Sequence, residues 1–482
     1  MPYYLNLIGE ILKISVCLIV KNEETCLRKC LESVKEADEI VILDTGSTDK
    51  TGEIAKEYTK NYYANEYKWN DNFAEARNYA LGKATKNFIL TLDADNVLEE
   101  NGIKKIRKAI EFAEKHNQKT VNCLIISEIY GDTHKQPVLY KRCPEVFWKG
   151  AIHNYLSVSE NNISDIKIYY GRSESHSKDP DRTLRILKKE VQNKNCIREM
   201  FYLAREYLYR FDYITASYWY NEYLKKAWWQ PEKAEAYLQL AKCLWNLNKI
   251  EETKEACLKA IQINTNFKEA LEFMASLSGP KNRDTWLLMA ETATNEDVLF
   301  ERIKKEKGLE HYNKSFTNSK DMSRYDEIYR EVGKMAQGKV LDIGCGLGEL
   351  SKYVLDYTGF DFSDQAVQIS NNPKITQGNA YNSELYSTKY DTFVLLEVLE
   401  HLDDKKVLGN IPTGKEVIFS VPSFKDEAHL RCYGEKSLRY RLSSLVDIKE
   451  IIRFNWHGKW KKDSRPTSDF ILLVRGIKSG NL

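Results

Sequence analysis

Apolar runs of strand length alternate with helix-spaced apolar positions over two separate stretches of the chain. In the first, Ser15–Val20, Glu39–Leu43, Phe88–Leu92 and Val121–Ile126 read as short buried strands. Between them Leu27–Val34, Thr51–Tyr58 and Ile103–His116 carry helical spacing, clearest at Ile103, Ile106, Ile110 and Ala113. Strands alternating with helices predict a mostly parallel α/β sheet, with ligands beyond the carboxyl ends of its strands. A second such pattern starts at Gly338, with strands expected at Lys339–Ile343, Gly359–Phe362, Thr392–Leu396, Glu416–Val421 and Phe470–Val474.

The intervening residues 196–277 are helical in pattern and rich in Tyr, Trp and Ala. Leu203-Ala204, Tyr207, Ala216 and Tyr220 recur as Leu240-Ala241, Leu244, Thr253, Cys257 and Ala260. A third copy begins at Met274-Ala275 and is expected to stop at Gly279-Pro280. The offsets of 37 and then 34 residues are close to the tetratricopeptide period. Residues 281–320 read as a charged helical linker. The expected organisation is therefore a multidomain α/β chain. An α/β domain over 12–185 is followed by helical repeats over 186–280, a linker over 281–317 and a second α/β domain over 318–482.

Composition narrows the partners. With 482 residues the chain is too long for one core, and 72 Lys plus Arg nearly balance 70 Asp plus Glu. No global field would draw it to nucleic acid or an anionic membrane. The apolar run Ile14–Val20 is too short to span a bilayer, and residues 1–13 lack the segments of a signal peptide. Ten cysteines are scattered without a CxxC pair, so reduced thiols and a cytoplasmic protein are expected.

Acidic loops follow three strands of the first stretch. They are Lys21-Asn22-Glu23-Glu24, then Asp44-Thr45-Gly46-Ser47-Thr48-Asp49, then Asp93-Ala94-Asp95-Asn96. Two carboxylates one residue apart can offer one to a hard divalent cation and the other to sugar hydroxyls. A cation bridging a diphosphate helps a nucleotide leave. Alone this pattern is weak. Joined to Phe73-Ala-Glu-Ala-Arg77-Asn78 it resembles the family-two GT-A glycosyltransferases, a Rossmann-like fold. It is most similar to the branch that carries tetratricopeptide-like repeats and includes peptide S-glycosyltransferases.

That resemblance covers about residues 12–280. It implies a nucleotide-diphosphate sugar donor, most simply a UDP-sugar, with Mn²⁺ or Mg²⁺ and inversion at the anomeric carbon. By position it gives Asp44 a uracil or ribose contact, Arg77 a base or phosphate contact, Asp93 the ribose or donor sugar, and Asp95 the metal. In Trp148-Lys-Gly-Ala-Ile-His153-Asn154, His153 is placed as a third metal ligand or part of the acceptor site. Asn154 replaces the usual Glu, and an amide cannot act as a base, so the general base stays unassigned. His176 falls where relatives often carry another histidine. Thr48 and Asp49 are expected to cap the helix at Thr51.

In the second stretch, Val340-Leu-Asp342-Ile-Gly344-Cys-Gly346-Leu-Gly348 runs from a strand towards a helix, and Asp361 ends the next strand. Glycines allow a sharp turn and close approach to a ligand, and a carboxylate there can hold ribose hydroxyls. With Gly378-Asn379-Ala380 and Glu397-Val-Leu-Glu400-His401, the set resembles class I S-adenosylmethionine (SAM)-dependent methyltransferases. The resemblance implies that Asp342, Gly344, Gly346, Gly348, Asp361, Asn379, Ala380 and Glu397 surround SAM. His401 and His429 are candidate bases for the acceptor, and Tyr312-Asn313 and Arg324-Tyr325 form a helical lead-in.

The expected function is a bifunctional enzyme that transfers a sugar to an acceptor, a polypeptide by analogy, and methylates the sugar or acceptor. The repeats would hold the acceptor or join two copies of the chain. The alternative is a glycosyltransferase whose methyltransferase-like domain only binds or assembles.

Overall fold

Buried strand runs followed by amphipathic helices recur at both ends of the computed structural model. It describes residues 12–127, 133–160, 162–171, 179–192, 196–300, 304–316, 322–462, 467 and 469–480. The chain divides into two compact units, Met1–Thr253 with Val298–Ile303, and Lys254–Asp297 with Lys304–Leu482. His176 lies outside the described residues.

The first unit holds β1 (Ile14–Val20), β2 (Glu39–Asp44), β3 (Tyr62–Ala64), β4 (Phe88–Leu92), β5 (Asn96–Leu98), β6 (Thr120–Ser127), β7 (Thr133–Lys141), β8 (Trp148–Lys149), β9 (Tyr155–Leu156) and β10 (Ile163–Tyr170). Eight of them form one sheet in the order β3-β2-β1-β4-β7-β6-β10-β5, while β8 and β9 pair separately. β1 is parallel to both β2 and β4, and β7 runs antiparallel to β4 and β6. Alternate β1 side chains point to opposite faces, as the two-residue period of a strand requires. Val16 and Leu18 join Leu27, Leu31, Ile103, Ile106 and Ile110 on one face. Cys17 joins Ala74, Ile89, Tyr140 and Trp148 on the other. With both faces covered, the central strands read as continuous apolar runs.

The helices Ile197–Tyr209, Tyr213–Leu224 and Gln230–Asn246 follow in the same unit and pack in sequence. Ala204, Ala216 and Ala241 are wholly buried, which lets the helices approach closely. Phe201 is also fully buried, its ring 5.2 Å from Tyr202, 6.0 Å from Tyr220 and 5.4 Å from Tyr223. Phe201→Ala removes the centre of that cluster and is expected to cost about 3–5 kcal/mol. Urea unfolding of the full chain would show it as an earlier transition of the first unit.

The third repeat copy continues past Gly279. Pro280 opens a helix, Pro280–Thr292, because proline fits the first helical turn, where its missing N–H is not needed. This helix packs on Lys268–Ser276 and on Glu435–Leu442, both in the second unit. Asp284 accepts a bond from the Lys436 N–H at 2.9 Å, and Arg441 reaches Glu291 at 2.6 Å.

The second unit holds β11 (Lys339–Ile343), β12 (Asp356–Asp361), β13 (Ile375–Gln377), β14 (Thr392–Leu396), β15 (Glu416–Pro422), β16 (Val446–Trp456), β17 (Trp460–Lys461) and β18 (Phe470–Lys478). The order is β13-β12-β11-β14-β15-β18-β16-β17. The first five strands are parallel, and β18 is antiparallel to both β15 and β16. In both sheets the order therefore reverses direction beside the first strand, between β1 and β4 and between β11 and β14. Open α/β sheets bind ligands at such switch points.

Candidate functional sites

In the first unit the β1 and β2 loops are laced together at the switch point. The Thr48 N–H donates to Asn22 Oδ1 at 2.7 Å, the Asn22 N–H to Ser47 Oγ at 2.9 Å, and the Glu23 N–H to Thr51 Oγ1 at 2.7 Å. Asp49 accepts the Thr51 N–H at 3.0 Å in a turn just before the helix, whose N-cap position is Lys50 with no side-chain cap, so neither Thr48 nor Asp49 caps it as expected. Asp44 is buried at the end of β2. Its Oδ1 accepts the N–H groups of Gly46 (2.9 Å) and Ser47 (2.7 Å), and its Oδ2 accepts the Tyr62 hydroxyl at 2.5 Å. Gly46 has φ +114°, which only glycine adopts without strain. Asp44 thus holds the loop in shape.

At the end of β4, Asp93 and Asn96 close a turn on each other, with Asp93 N–H to Asn96 Oδ1 and Asn96 N–H to Asp93 O both 3.0 Å. Ala94 is buried between Asp93 and Asp95. Asp95 accepts from Asn96 Nδ2 at 3.3 Å, and its carbonyl accepts the Gly171 N–H at 3.2 Å. Arg77, from the helix Phe73–Lys83, gathers three elements. Its Nη2 donates to Asp93 Oδ1 at 2.7 Å and its Nε to Asn154 Oδ1 at 3.3 Å, and its guanidinium lies 5.0 Å from the Trp148 ring centroid. The Arg77 side chain is 13% exposed and that of Asp93 52%, so solvent screens the pair. Its net worth is at most about 1 kcal/mol. A pair that weak can be exchanged for a ligand's phosphate.

His153 has φ +50°, and its ring stacks on Tyr202 of the helix Ile197–Tyr209 at 3.8 Å and 12°. Packing of the ring, then the charges of Arg205 and Arg198, push its pKa down to about 3. The residue also keeps an exposed surface. Its neighbour Asn154 connects through Arg77 to Asp93. Among the described residues, Asp95 and His153 do not belong to a preformed group of three ligands.

In the second unit the β11 loop turns through Gly344 (φ +68°), Gly346 (φ +54°) and Gly348 (φ +76°). The Gly346 N–H donates to Asp361 Oδ2 at 2.7 Å, and Asp361 Oδ1 accepts the Ser363 N–H at 2.8 Å. This locks the glycine turn to the end of β12 and leaves each carboxylate oxygen a free lone pair. Asn313, from the lead-in helix Leu309–Phe316, binds Ser363 Oγ and Asp364 Oδ1, both at 2.7 Å. The side chain of Asn379 is exposed and its Oδ1 accepts the Tyr381 N–H at 2.9 Å, while the Ala380 carbonyl accepts the Tyr386 hydroxyl at 2.7 Å. Glu397, at the end of β14, is held at φ +56° by Ser420, whose hydroxyl donates to its Oε1 at 2.8 Å.

Asp342 lies inside the strand layer, 3% exposed, accepting the Tyr357 hydroxyl at 2.9 Å. In this place it supports the turn. Burial pushes its pKa up to about 7. Between an unfolded value of about 3.9 and that folded value, the folded state holds the proton more tightly. Stability should therefore fall as pH rises across that window, by at most about 1.4 kcal/mol per unit from this group. Burial raises Glu397 and Glu400 in the same direction. Urea titrations at about pH 5 and about pH 7 should show the loss, with a flatter slope in Asp342→Asn.

His401 and His429 meet edge to face, ring centroids 5.0 Å apart. Their Nδ1 atoms face the carbonyls of Ala428 (3.2 Å) and Phe424 (3.1 Å), so each Nδ1 carries the proton and each Nε2 is free to accept one. Burial first lowers both pKa values, that of His401 to about 4. Sequence reasoning did not single out Tyr62 or Ser420. Nothing in their local pattern marks a side chain that reaches across strands.

The comparisons with known proteins fall on the same two regions. The family model for glycosyl transferase family 2 matches residues 15–169, and a methyltransferase domain model matches residues 309–414. A TPR repeat-containing protein of Synechococcus elongatus is 35% identical over 136 residues, 28% of this chain and 31% of that protein. The SPbeta prophage-derived glycosyltransferase SunS of Bacillus subtilis is 31% identical over 207 residues, 39% of this chain and 48% of SunS. The ubiquinone biosynthesis O-methyltransferase of Erwinia tasmaniensis is 27% identical over 157 residues, 28% of this chain and 65% of that enzyme. The matched stretches thus span less than half the length of the first two relatives. Among the described residues, no helix is long and apolar enough to cross a membrane.

Proposed function

We propose that this chain, which carries a family 2 glycosyltransferase domain and a methyltransferase domain, performs both transfers. The first unit moves a sugar from a UDP-sugar, with inversion, to a polypeptide side chain, and the second methylates that sugar or its acceptor with SAM. The observation that carries this reading is shared by both sheets. Each places beside its topological switch point a turn tied to a neighbouring element through a carboxylate, Asp93 of the turn itself to Arg77 in the first and Gly346 to Asp361 in the second. The polypeptide acceptor rests on the resemblance of residues 12–280 to peptide S-glycosyltransferases. The ten cysteines, none of them in a disulfide, accord with a cytoplasmic protein.

In the first site Arg77 would trade Asp93 for the donor's base or phosphate, freeing Asp93 for ribose or sugar hydroxyls. Asp44 would meet the nucleoside by releasing Tyr62. Asp95 offers an oxygen donor to Mn²⁺ or Mg²⁺, and the His153 nitrogen, if it joins, favours Mn²⁺, with diphosphate oxygens completing the shell. A divalent cation bound there would neutralise charge developing on the departing diphosphate. In the second site Gly344, Gly346 and Gly348 would admit the cofactor close to the backbone, and Asp361 would accept both ribose hydroxyls. Asn379 and Ala380 would border adenine, Glu397 would border the rest of SAM, and His401 Nε2 would receive the acceptor's proton. The helical repeats would grip the acceptor or a second copy of the chain.

The test is to incubate the chain with a panel of UDP-sugars, Mn²⁺, methyl-labelled SAM and a peptide fraction, and follow intact masses. A peptide that gains one sugar and the methyl label supports the reading. Sugar addition without any methyl label supports the single-activity alternative. No transfer from any donor overturns both.

A further inference from the structure

Glu400 follows β14 by four residues and is completely buried, yet neither of its carboxylate oxygens accepts a hydrogen bond from another residue. The nearby guanidinium of Arg431 spends its Nη1 on the carbonyls of Leu399 (3.2 Å) and Leu402 (2.6 Å). A buried polar group left in this state costs folding free energy unless something else satisfies it. Across from it stand the two imidazoles of His401 and His429.

We propose that Glu400, His401 and His429 bind one divalent transition-metal cation of the zinc class. Each of the three offers a ligand atom within 4.8 Å of the others, and Glu400 Oε1 is already 3.7 Å from His401 Nε2. Ligands around one tetrahedral zinc lie about 3–3.5 Å apart, so a small side-chain adjustment closes the set.

The outer contacts are those a metal-binding histidine uses. Each Nδ1–H is fixed on a backbone carbonyl, and both carbonyls belong to the Phe424–Ala428 segment that also delivers His429. This leaves both Nε2 lone pairs free, that of His401 on an atom 3.7 Å from Glu400 Oε1. Two imidazoles and one carboxylate select a transition ion over Ca²⁺ or Mg²⁺ and leave a fourth position for a ligand oxygen or nitrogen. With the ion bound, His401 Nε2 would be a ligand and not the proton acceptor of the proposed methyl transfer, and the ion would instead lower the pKa of an oxygen held in the fourth position. The Tyr312 hydroxyl, also buried without a hydrogen-bond partner, belongs to a ring 6.0 Å from that of His401. The rival account is that Glu400 stays a neutral buried acid and binds nothing.

Metal-stripped full-length chain carrying Asp95→Ala, which silences the proposed cation ligand of the first unit, would be titrated with Co²⁺ as a spectroscopic probe. The proposal predicts one equivalent with ligand-field bands of a low-coordinate nitrogen and oxygen site, displaced by Zn²⁺. His429→Ala and Glu400→Gln should each weaken it by more than the roughly 10–100-fold that loss of an outer contact costs. Calorimetry with SAM on the same samples reports separately whether the cofactor crevice works. A chain that unfolds cooperatively but shows no Co²⁺ bands overturns the proposal. So does Co²⁺ binding that His429→Ala leaves unchanged. If Glu400→Gln fails to fold, His429→Ala decides.

Discussion

Asp95→Ala is expected to lower sugar transfer by about 10²–10⁴-fold, the loss that follows when several kcal/mol of charge stabilisation at a departing diphosphate is removed. The effect should be confined to function. Asp95 is partly exposed, and one of its side-chain contacts, to Asn96, is long at 3.3 Å. A substitution there should move stability by no more than about 0.5 kcal/mol. Arg77 and Asp93 would keep their pairing, so the pocket should hold its shape while metal-dependent donor binding disappears. Steady-state transfer with Mn²⁺ varied, beside a urea unfolding curve, separates the two effects. An Asp95→Ala chain with unchanged transfer would remove this carboxylate from the site.

The second large effect is expected at Asp361. Its carboxylate fastens the Gly346 turn at 2.7 Å and would also accept the cofactor's ribose hydroxyls. Hydrogen bonds to a charged group are worth about 1.5–3 kcal/mol each, so losing two through Asp361→Ala should weaken SAM binding by about 10²–10⁴-fold. Asp361→Asn should fall between the parent and the alanine variant, because an amide oxygen still accepts from the turn. Calorimetric titration with SAM measures both. Equal affinity in parent and alanine variant would contradict the assignment.

The parts that were legible in advance are those whose signal is local. β1, β2, β4, β11 and β14 lie fully inside their sheets, so each prints a nearly continuous apolar run. The helices Thr51–Tyr58 and Gly102–Lys115 show one apolar stripe each. β7 and β16 were harder to see. β7 carries Pro137, and β16 exposes much of one face, so neither shows a clean period. Pro280 read as a terminator when it starts a helix, because proline serves both ends of the helical vocabulary.

The candidate sites divide in the same way. Asp93, Asp95, Gly344, Gly346, Gly348 and Asp361 stand in short motifs at strand ends, and the family resemblance carried by those motifs marked them as candidates. The wiring of Arg77 to Asn154, of Tyr62 to Asp44 and of Ser420 to Glu397 joins residues far apart in the chain, which only the folded sheet brings together. Glu400 is the sharpest case. Its neighbour His401 was singled out, but the missing hydrogen bonds at its carboxylate are a property of packing.

The central claim is that one chain holds two independent donor sites. It is tested most directly by calorimetric titration of the same preparation with a panel of nucleotide sugars plus Mn²⁺, and then with SAM. The account predicts that the parent binds one nucleotide sugar and SAM. Asp95→Ala should lose only the first ligand, and Asp361→Ala only the second. Loss of both ligands in either variant, or failure of the parent to bind any nucleotide sugar with or without metal, would contradict it.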